Sequence, residues 1–342
     1  MSARTPSPAV DRSVQAESRP ALDHLALLAV HGADASAFLD SQLTRNVPTL
    51  ETGQPISRAS IAGYCSPKGR LLATFVVWSS QSSSQSSAHS SASETISMLV
   101  SRDIAEMVAK RLRMYVLRAK VTIEDVTPMH TIEGFHHSSP LPNGVQLPHV
   151  WSIHRDGDTL WIRHPDADGH QRFVRVGTAA IDARDSPIDA ATWRRSEIRA
   201  GIPRITATTQ DRFVPQMVNL EALGGVDFKK GCFPGQEVVA RSQYLGKLKR
   251  RMALAWVDGI DDGAIVPQPG ADVWSAEDSG PSGLVVNAER APDGRVALLV
   301  EIPLALFDSR ALRVGQGEGP PLKIESLPYA LPENEVFVRP KL

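Results

Sequence analysis

The pattern of the sequence changes at Arg250, and this change limits the folds that the chain can adopt. Before Arg250, apolar runs typical of strands alternate with helical patterns, whereas after it only short apolar runs occur, separated by Gly, Pro and Asp. The mixed succession favours an α+β fold over a doubly wound parallel sheet. The second pattern predicts a separate C-terminal domain over residues 246–342, either a small all-β barrel or a sandwich.

The first region, residues 21–245, is expected to begin with a buried strand in ALDHLALLAVHG, followed by a helix that Asp34 caps. Residues 56–79 predict two strands joined by a turn at Ser66–Gly69. The segment RDIAEMVAKRLRMYVLR predicts a helix, and AKVTIEDVT predicts a strand. The apolar positions of that helix are Ile104, Met107, Val108, Leu112 and Tyr115 or Val116. Residues 128–190 predict short strands, and the segment 129–144 is expected to contain a loop.

Two segments are predicted to lie outside the packed structure. Residues 1–20 are rich in Pro, Ser and Arg and are predicted to be disordered. Residues 79–94 contain almost only Ser, Gln and Ala between two apolar strands, which predicts a flexible loop.

Composition narrows the class of protein. The chain has 342 residues, of which 42% are hydrophobic and 22% charged, as expected for a soluble protein of two or three domains. A net charge of −1 argues against direct nucleic-acid binding, because phosphate contacts require a surplus of Lys and Arg. The two cysteines, Cys65 and Cys232, favour a reducing, cytoplasmic setting. The sequence shows neither a signal peptide nor a membrane span, so no membrane association is expected.

The segment FKKGCFPGQEVVARSQYLGKLKRR places one thiol, Cys232, between two glycines and beside two lysines. Lys229 and Lys230 are expected to favour the thiolate, which is the form that attacks electrophiles or binds metal. Gly231 and Gly235 allow turns that expose the sulfur. A lone cysteine is nevertheless more often a small packed hydrophobe, and the residues alone leave the structural and functional interpretations balanced.

This segment resembles the signature of the YgfZ family at every fixed position. The matching residues are Lys230, Gly231, Cys232, Phe233, Gly235, Gln236 and Glu237. The segments at 41–47, 112–125, 199–203 and 213–228 also resemble the family, in the family's order. The similarity spans roughly residues 21–330, which is far more specific than a short glycine fingerprint.

The resemblance implies a fold like that of the glycine cleavage T-protein, with two interlocked α+β domains in 21–245 and a C-terminal β-barrel around a central hole. It implies tetrahydrofolate binding in that hole and support of iron–sulfur cluster assembly or repair, and thereby of cluster-dependent enzymes such as those of tRNA methylthiolation. The implied partners are iron–sulfur assembly proteins or cluster-containing client enzymes. Cys232 is the implied functional residue. The implied folate-binding residues are Glu197, Arg199, Asn219 and Gln236.

The sequence departs from the T-protein at two places. Ala73 and Thr74 stand where T-proteins have a pair of aspartates, and Arg199 stands at the position of a pterin-contacting glutamate, with Glu197 two residues earlier. Without those carboxylates, ordinary aminomethyltransferase activity is not expected. Whether the protein is an enzyme stays open. The alternative function is a folate-dependent one-carbon transferase with an unidentified substrate, and Cys232 is a cluster ligand, an exchanging thiol or a one-carbon acceptor.

The remaining candidates point to no further site. Ten histidines are present, but their spacing matches no zinc motif, so no metal site is predicted. Cys65 lies in a turn segment, GYCSPKGR, and is expected to be structural.

Overall fold

The computed structural model describes two antiparallel sheets and four α-helices. The described residues are 21–47, 57–79, 94–137, 141, 144–178, 186–244, 248–258, 266–276, 279–315 and 319–332. The segments predicted to be disordered or flexible, 1–20 and nearly all of 79–94, lie outside these ranges. EVFVRP, one of the short apolar runs after Arg250, also lies outside them.

The first sheet has nine strands and combines two groups of neighbouring elements. The first group is β1 Leu25–Gly32, α1 Ala35–Asp40, β2 Ser57–Cys65, β3 Leu71–Ser79, β4 Glu94–Ser101, α2 Arg102–Arg113 and β5 Thr122–Asp125. The second group is β6 Thr131–His137, β7 Ser152–Asp156, β8 Thr159–Ala167 and β9 His170–Gly177. The strand order is β5-β1-β4-β3-β2-β7-β8-β9-β6, so the β2–β7 pair joins the groups into one sheet.

Two further helices, α3 Ala190–Arg199 and α4 Gln236–Tyr244, precede the second sheet. Its strands are β10 Arg250–Val257, β11 Asp272–Ser275, β12 Pro281–Arg290, β13 Val296–Pro303, β14 Leu312–Val314 and β15 Leu322–Glu325. Their order is β14-β11-β12-β13-β10-β15. An isolated bridge between Arg313 and Pro321 brings the two edges of this order together, so the sheet curls. Closure into a complete barrel stays a prediction.

One hydrophobic core connects the nine-stranded sheet, its two helices and the cysteine segment. Helices α1 and α2 bury Phe38, Leu39, Ile104 and Val108 against one face of this sheet. Phe233 from the motif belongs to the same core. The other face of the sheet packs around Trp193 of α3, which is fully buried. The motif segment is therefore part of the folded unit and not an appended loop.

Several predicted elements are present with different limits. Helix α2 ends at Arg113 instead of continuing to Arg118, and Met107, predicted as an apolar core position, is 38% exposed. The segment 129–144, predicted to contain a loop, begins with a strand, β6, that its sequence does not predict. Asp34 precedes α1 but makes no side-chain cap, since its carboxylate accepts a hydrogen bond from the backbone N–H of Lys120 at 2.8 Å. A contact between positions so far apart leaves no local signal in the sequence.

Candidate functional site

Lys230 anchors the cysteine segment to helix α1. Its ammonium group donates hydrogen bonds to the carbonyl oxygens of Asp40 at 2.5 Å and Leu43 at 2.6 Å. Burial lowers the pKa of Lys230. Carbonyls at a helix C-terminus lack intrahelical partners, and a buried cation satisfies them well. Of the two lysines predicted to flank the thiol, only Lys229 is exposed.

Gly235 makes the closest backbone contact of the segment. Its φ of +77° lies in the left-handed region, and a Cβ added there would meet the carbonyl oxygen of Ser66 and lie 2.5 Å from Cα of Gly69. Gly69, with φ +71°, in turn leaves room for Val238, whose Cβ would be 2.7 Å from an added Cβ. The turn at Ser66–Gly69 and the start of α4 thus interlock through two glycines.

Cys232 is exposed, whereas Cys65 at the end of β2 is buried. Burial raises the pKa of the Cys65 thiol, which keeps it protonated and unreactive. Gly231 is also exposed, and a Cβ added to it would have no heavy atom within 4 Å. The fold therefore does not require a glycine at 231, and the space beside Cys232 is open to another molecule.

The remaining motif residues support the segment in different ways. Phe233 is buried and packs 5.6 Å from the ammonium of Lys230. The backbone N–H of Gln236, the first residue of α4, donates to the carbonyl of Phe233 at 3.1 Å. Glu237 is exposed and pairs with Arg241 at 2.8 Å, a surface ion pair of small energetic value. The packing of Phe233 and the start of α4 therefore hold the backbone on both sides of Cys232 in place.

A separate cavity of about 410 Å³ lies where the two sheets and α3 meet, within the size range of small-molecule sites. The side of the nine-stranded sheet and α2 contributes His24, Ser101, Arg102 and Asp103. Helix α3 and the segment after it contribute Arg194, Glu197, Ile198, Ile202, Arg204 and Thr206. The C-terminal part contributes Pro269, Asn287 and Ala288. None of these belongs to the cysteine motif.

The cavity combines apolar walls with oriented charges. Glu197 is 4% exposed, and its carboxylate accepts a two-pronged pair of hydrogen bonds from Arg204, one of them 3.2 Å from Nε. The backbone of Arg204 is held by the Asn287 side chain through two hydrogen bonds of 2.9 and 2.8 Å. Burial, together with Arg204, Arg194 and Arg102, lowers the pKa of His24 to about 2, so this imidazole stays neutral.

Arg199 faces away from this cavity. Residues 197 and 199 are two positions apart on α3, so they point to nearly opposite sides of the helix. Arg199 donates hydrogen bonds to Asp168 at 2.9 Å and Glu325 at 2.5 Å, and lies over the Trp256 ring at 5.2 Å. It lines a second cleft, of about 450 Å³, with those partners.

Ala73 and Thr74 do not line either cavity. Ala73 is fully buried in the core, and the Thr74 hydroxyl donates to the carbonyl of Pro203 and accepts from the N–H of Ile205, both at 3.2 Å. Thr74 therefore fixes the segment that follows α3.

Asn219, also predicted to bind folate, is fully buried and has φ +57°. Its side-chain amide donates to the carbonyl of Met252 at 2.8 Å, which ties its turn to β10. Of the four predicted folate contacts, the structure thus places only Glu197 in the cavity between the two sheets and α3. It adds His24, Arg102 and Arg204, which carry no recognisable motif and are brought together only by the fold.

The described residues contain no group of three His, Cys, Asp or Glu side chains arranged to hold a metal ion. Among the helices that the structure describes, none combines the length and apolarity needed to cross a bilayer.

Replacing Lys230 with alanine is expected to lower the free energy of unfolding by about 2 kcal/mol, because two buried carbonyl oxygens lose their partner. Lys229→Ala, at the exposed neighbour, is the matched control and should change it by less than about 0.5 kcal/mol. Urea unfolding measures both. Equal changes in the free energy of unfolding for the two variants would show that the buried Lys230 ammonium does not stabilise the fold.

Comparison with known proteins gives relatives both in sequence and in structure. The tRNA-modifying protein YgfZ of Enterobacter sp. (strain 638) is 30% identical over 328 residues, covering 91% of this chain and 93% of that protein. The aminomethyltransferase T of the glycine cleavage system from Bartonella henselae superposes with a TM-score of 0.61 at 15% identity, covering 91% of this chain and 87% of that chain. No family model matches the chain.

Proposed function

The chain belongs to the YgfZ family, and from that premise we propose that it is a folate-binding accessory protein of iron–sulfur enzymes that acts through Cys232. In this role it supports the assembly or repair of clusters in the cytoplasm and thereby tRNA methylthiolation. The observation that carries the proposal is an exposed cysteine, held by a buried lysine and an interlocked glycine, in a chain similar over 91% of its length to a tRNA-modifying protein.

The cavity is the proposed folate site. A carboxylate has about four acceptor positions, and Arg204 occupies one on each oxygen of Glu197. The remaining positions suit the adjacent N–H groups of a pterin ring, in a charge-assisted pair of hydrogen bonds. Arg102 provides positive charge for the carboxylates of the folate tail, and Arg194, which pairs with Glu289 at 2.5 Å, adds a second guanidinium at the cavity wall.

Tetrahydrofolate carries one-carbon units when bound, but the cysteine motif and the cavity share no lining residue. We therefore assign them separate roles: Glu197 and Arg204 bind and orient the ligand, and Cys232 presents a thiol to a partner. Gly231 leaves the approach to the sulfur unobstructed. The family fold that we propose around these sites has two interlocked domains in 21–245 and a closed C-terminal barrel.

One observation favours the alternative of a one-carbon transferase. Asp103, at the start of α2, places a carboxylate in the cavity, where its Oδ2 accepts from the N–H of Ala207 at 2.8 Å. This group is the candidate for the missing aspartates of the T-protein. Aminomethyl transfer with purified H-protein, abolished by Asp103→Asn, would establish that alternative.

Glu197→Gln is expected to weaken tetrahydrofolate binding about tenfold or more, because the ligand loses a charged acceptor while the side-chain volume is kept. Arg199→Gln, in the second cleft, is the control and should leave the affinity unchanged. Titration calorimetry with tetrahydrofolate on the full chain measures both. Absence of binding to the wild type, or weakening by Arg199→Gln alone, would contradict this assignment.

A further inference from the structure

Large exposed apolar side chains are concentrated at the end of α2. Met107 is 38%, Met114 62%, Tyr115 38% and Leu117 86% exposed. We refer to these four residues, with Lys110, Arg118 and Lys120, as the α2 face. Single exposed apolar residues are common, but a contiguous group on one element marks an interaction surface.

Folding does not account for this group. Helix α2 already buries a complete apolar stripe, formed by Ile104, Ala105, Val108, Ala109 and Leu112. Met107 and Met114 are seven residues apart and therefore share another side of the helix. Leu117 follows the helix, and its side chain lies in solvent. It therefore contributes almost no buried apolar area to the folded state.

The α2 face is also strongly positive. The stretch from Met107 to Lys120 contains five basic residues and no acidic one, although the whole chain has a net charge of −1. Arg113 is also exposed, and its guanidinium donates to the carbonyl of Ile123 at 2.7 and 3.0 Å. Lys110, Arg118 and Lys120 are exposed around the apolar group.

A series of neighbouring residues and a shared core link this face with the cysteine segment. Burial raises the pKa of Tyr64 to about 12, and the nearby Tyr115 adds to the shift. Tyr64 forms a β-bridge with Leu43, whose carbonyl accepts the hydrogen bond from Lys230 at 2.6 Å. Both α2 and Phe233 pack into the same core. The helix that carries the α2 face and the segment that carries Cys232 therefore pack on the same core.

We propose that the α2 face docks a cluster-carrying protein whose surface has an apolar centre and an acidic rim, and thereby brings that protein to Cys232. The inference rests on the proposed function and names the partner surface that the function needs. An apolar centre within a charged rim is the usual anatomy of a protein interface, and methionine adapts to varied partners. Tyr115 is the one exposed aromatic ring of the face, and a single ring cannot stack successive bases, which disfavours single-stranded RNA.

The test combines two variants with a matched control. Met114→Asp/Leu117→Asp and Arg118→Glu/Lys120→Glu are expected to lower the 2-methylthio nucleoside content of tRNA about tenfold in a complemented deletion strain. Val150→Asp, at a site 39% exposed before β7, should leave it unchanged. Melting temperature, tetrahydrofolate affinity and the labelling rate of Cys232 should be unchanged in all three proteins, since the substituted side chains are on the surface.

A photo-crosslinking amino acid at position 117 identifies the partner class. The expected product is a cluster-containing protein, lost in the Arg118→Glu/Lys120→Glu background. An RNA product, no protein product, or full methylthiolation in both α2-face variants would overturn the inference. Cys232→Ser separates this result from the proposed function: if it abolishes methylthiolation while the α2-face variants do not, only the docking inference fails.

Discussion

Gly235→Ala is expected to lower the free energy of unfolding by about 3 kcal/mol, the largest stability change expected of any single-residue replacement in the motif. The added Cβ meets the carbonyl of Ser66 and the Cα of Gly69, which are backbone atoms and cannot rotate away. The φ of +77° adds conformational strain for any residue with a side chain. Urea unfolding of the full chain measures the difference.

Gly231→Ala is the matched control, because it makes the same change four residues earlier in open space. Its free energy of unfolding should stay within about 0.5 kcal/mol of the wild type. Similar losses for the two variants would mean that the turn at Ser66–Gly69 does not hold the motif as described.

Cys232→Ser is expected to abolish support of iron–sulfur enzymes while leaving the melting temperature unchanged. The side chain is exposed and its replacement removes no buried volume, whereas a serine hydroxyl is a far weaker nucleophile and metal ligand than a thiolate. Activity of a four-iron enzyme in extracts of a complemented deletion strain, together with thermal unfolding of the purified variant, measures both effects.

Thiol labelling of the native protein provides the control at the second cysteine. A maleimide should modify Cys232 rapidly and Cys65 only after unfolding, because Cys65 is 1% exposed and burial keeps its thiol protonated. Equal rates for the two thiols, or resistance of Cys232 in the folded state, would refute an accessible functional cysteine.

Local patterns predict the elements of this fold better than its long-range contacts. The hairpin around Ser66–Gly69 and the buried strand β1 follow directly from apolar runs and turn residues. The same rules place Met107 in the core, since periodicity alone cannot distinguish a buried stripe from an exposed apolar face. Strand β6, within the segment 129–144, is missed because it gains its stability from pairing with β9, some forty residues later.

The site shows the same division between local patterns, which the sequence predicts, and long-range contacts, which it does not. The motif around Cys232 is recognisable from consecutive residues, and the resemblance extends to the fold. The partners that position the motif cannot be recognised in this way, because Lys230 donates to carbonyls at the end of α1 and just after it, far earlier in the chain. Helical geometry separates Glu197 from Arg199, and only once α3 is known does Glu197 become the cavity residue.

The most direct test of the central claim is the 2-methylthio nucleoside content of tRNA, measured by mass spectrometry in a deletion strain that expresses either the wild-type chain or Cys232→Ser at equal levels. The account predicts that the wild type restores methylthiolation and that Cys232→Ser leaves it at the level of the deletion strain. Full restoration by Cys232→Ser would contradict the claim that the protein acts through this thiol.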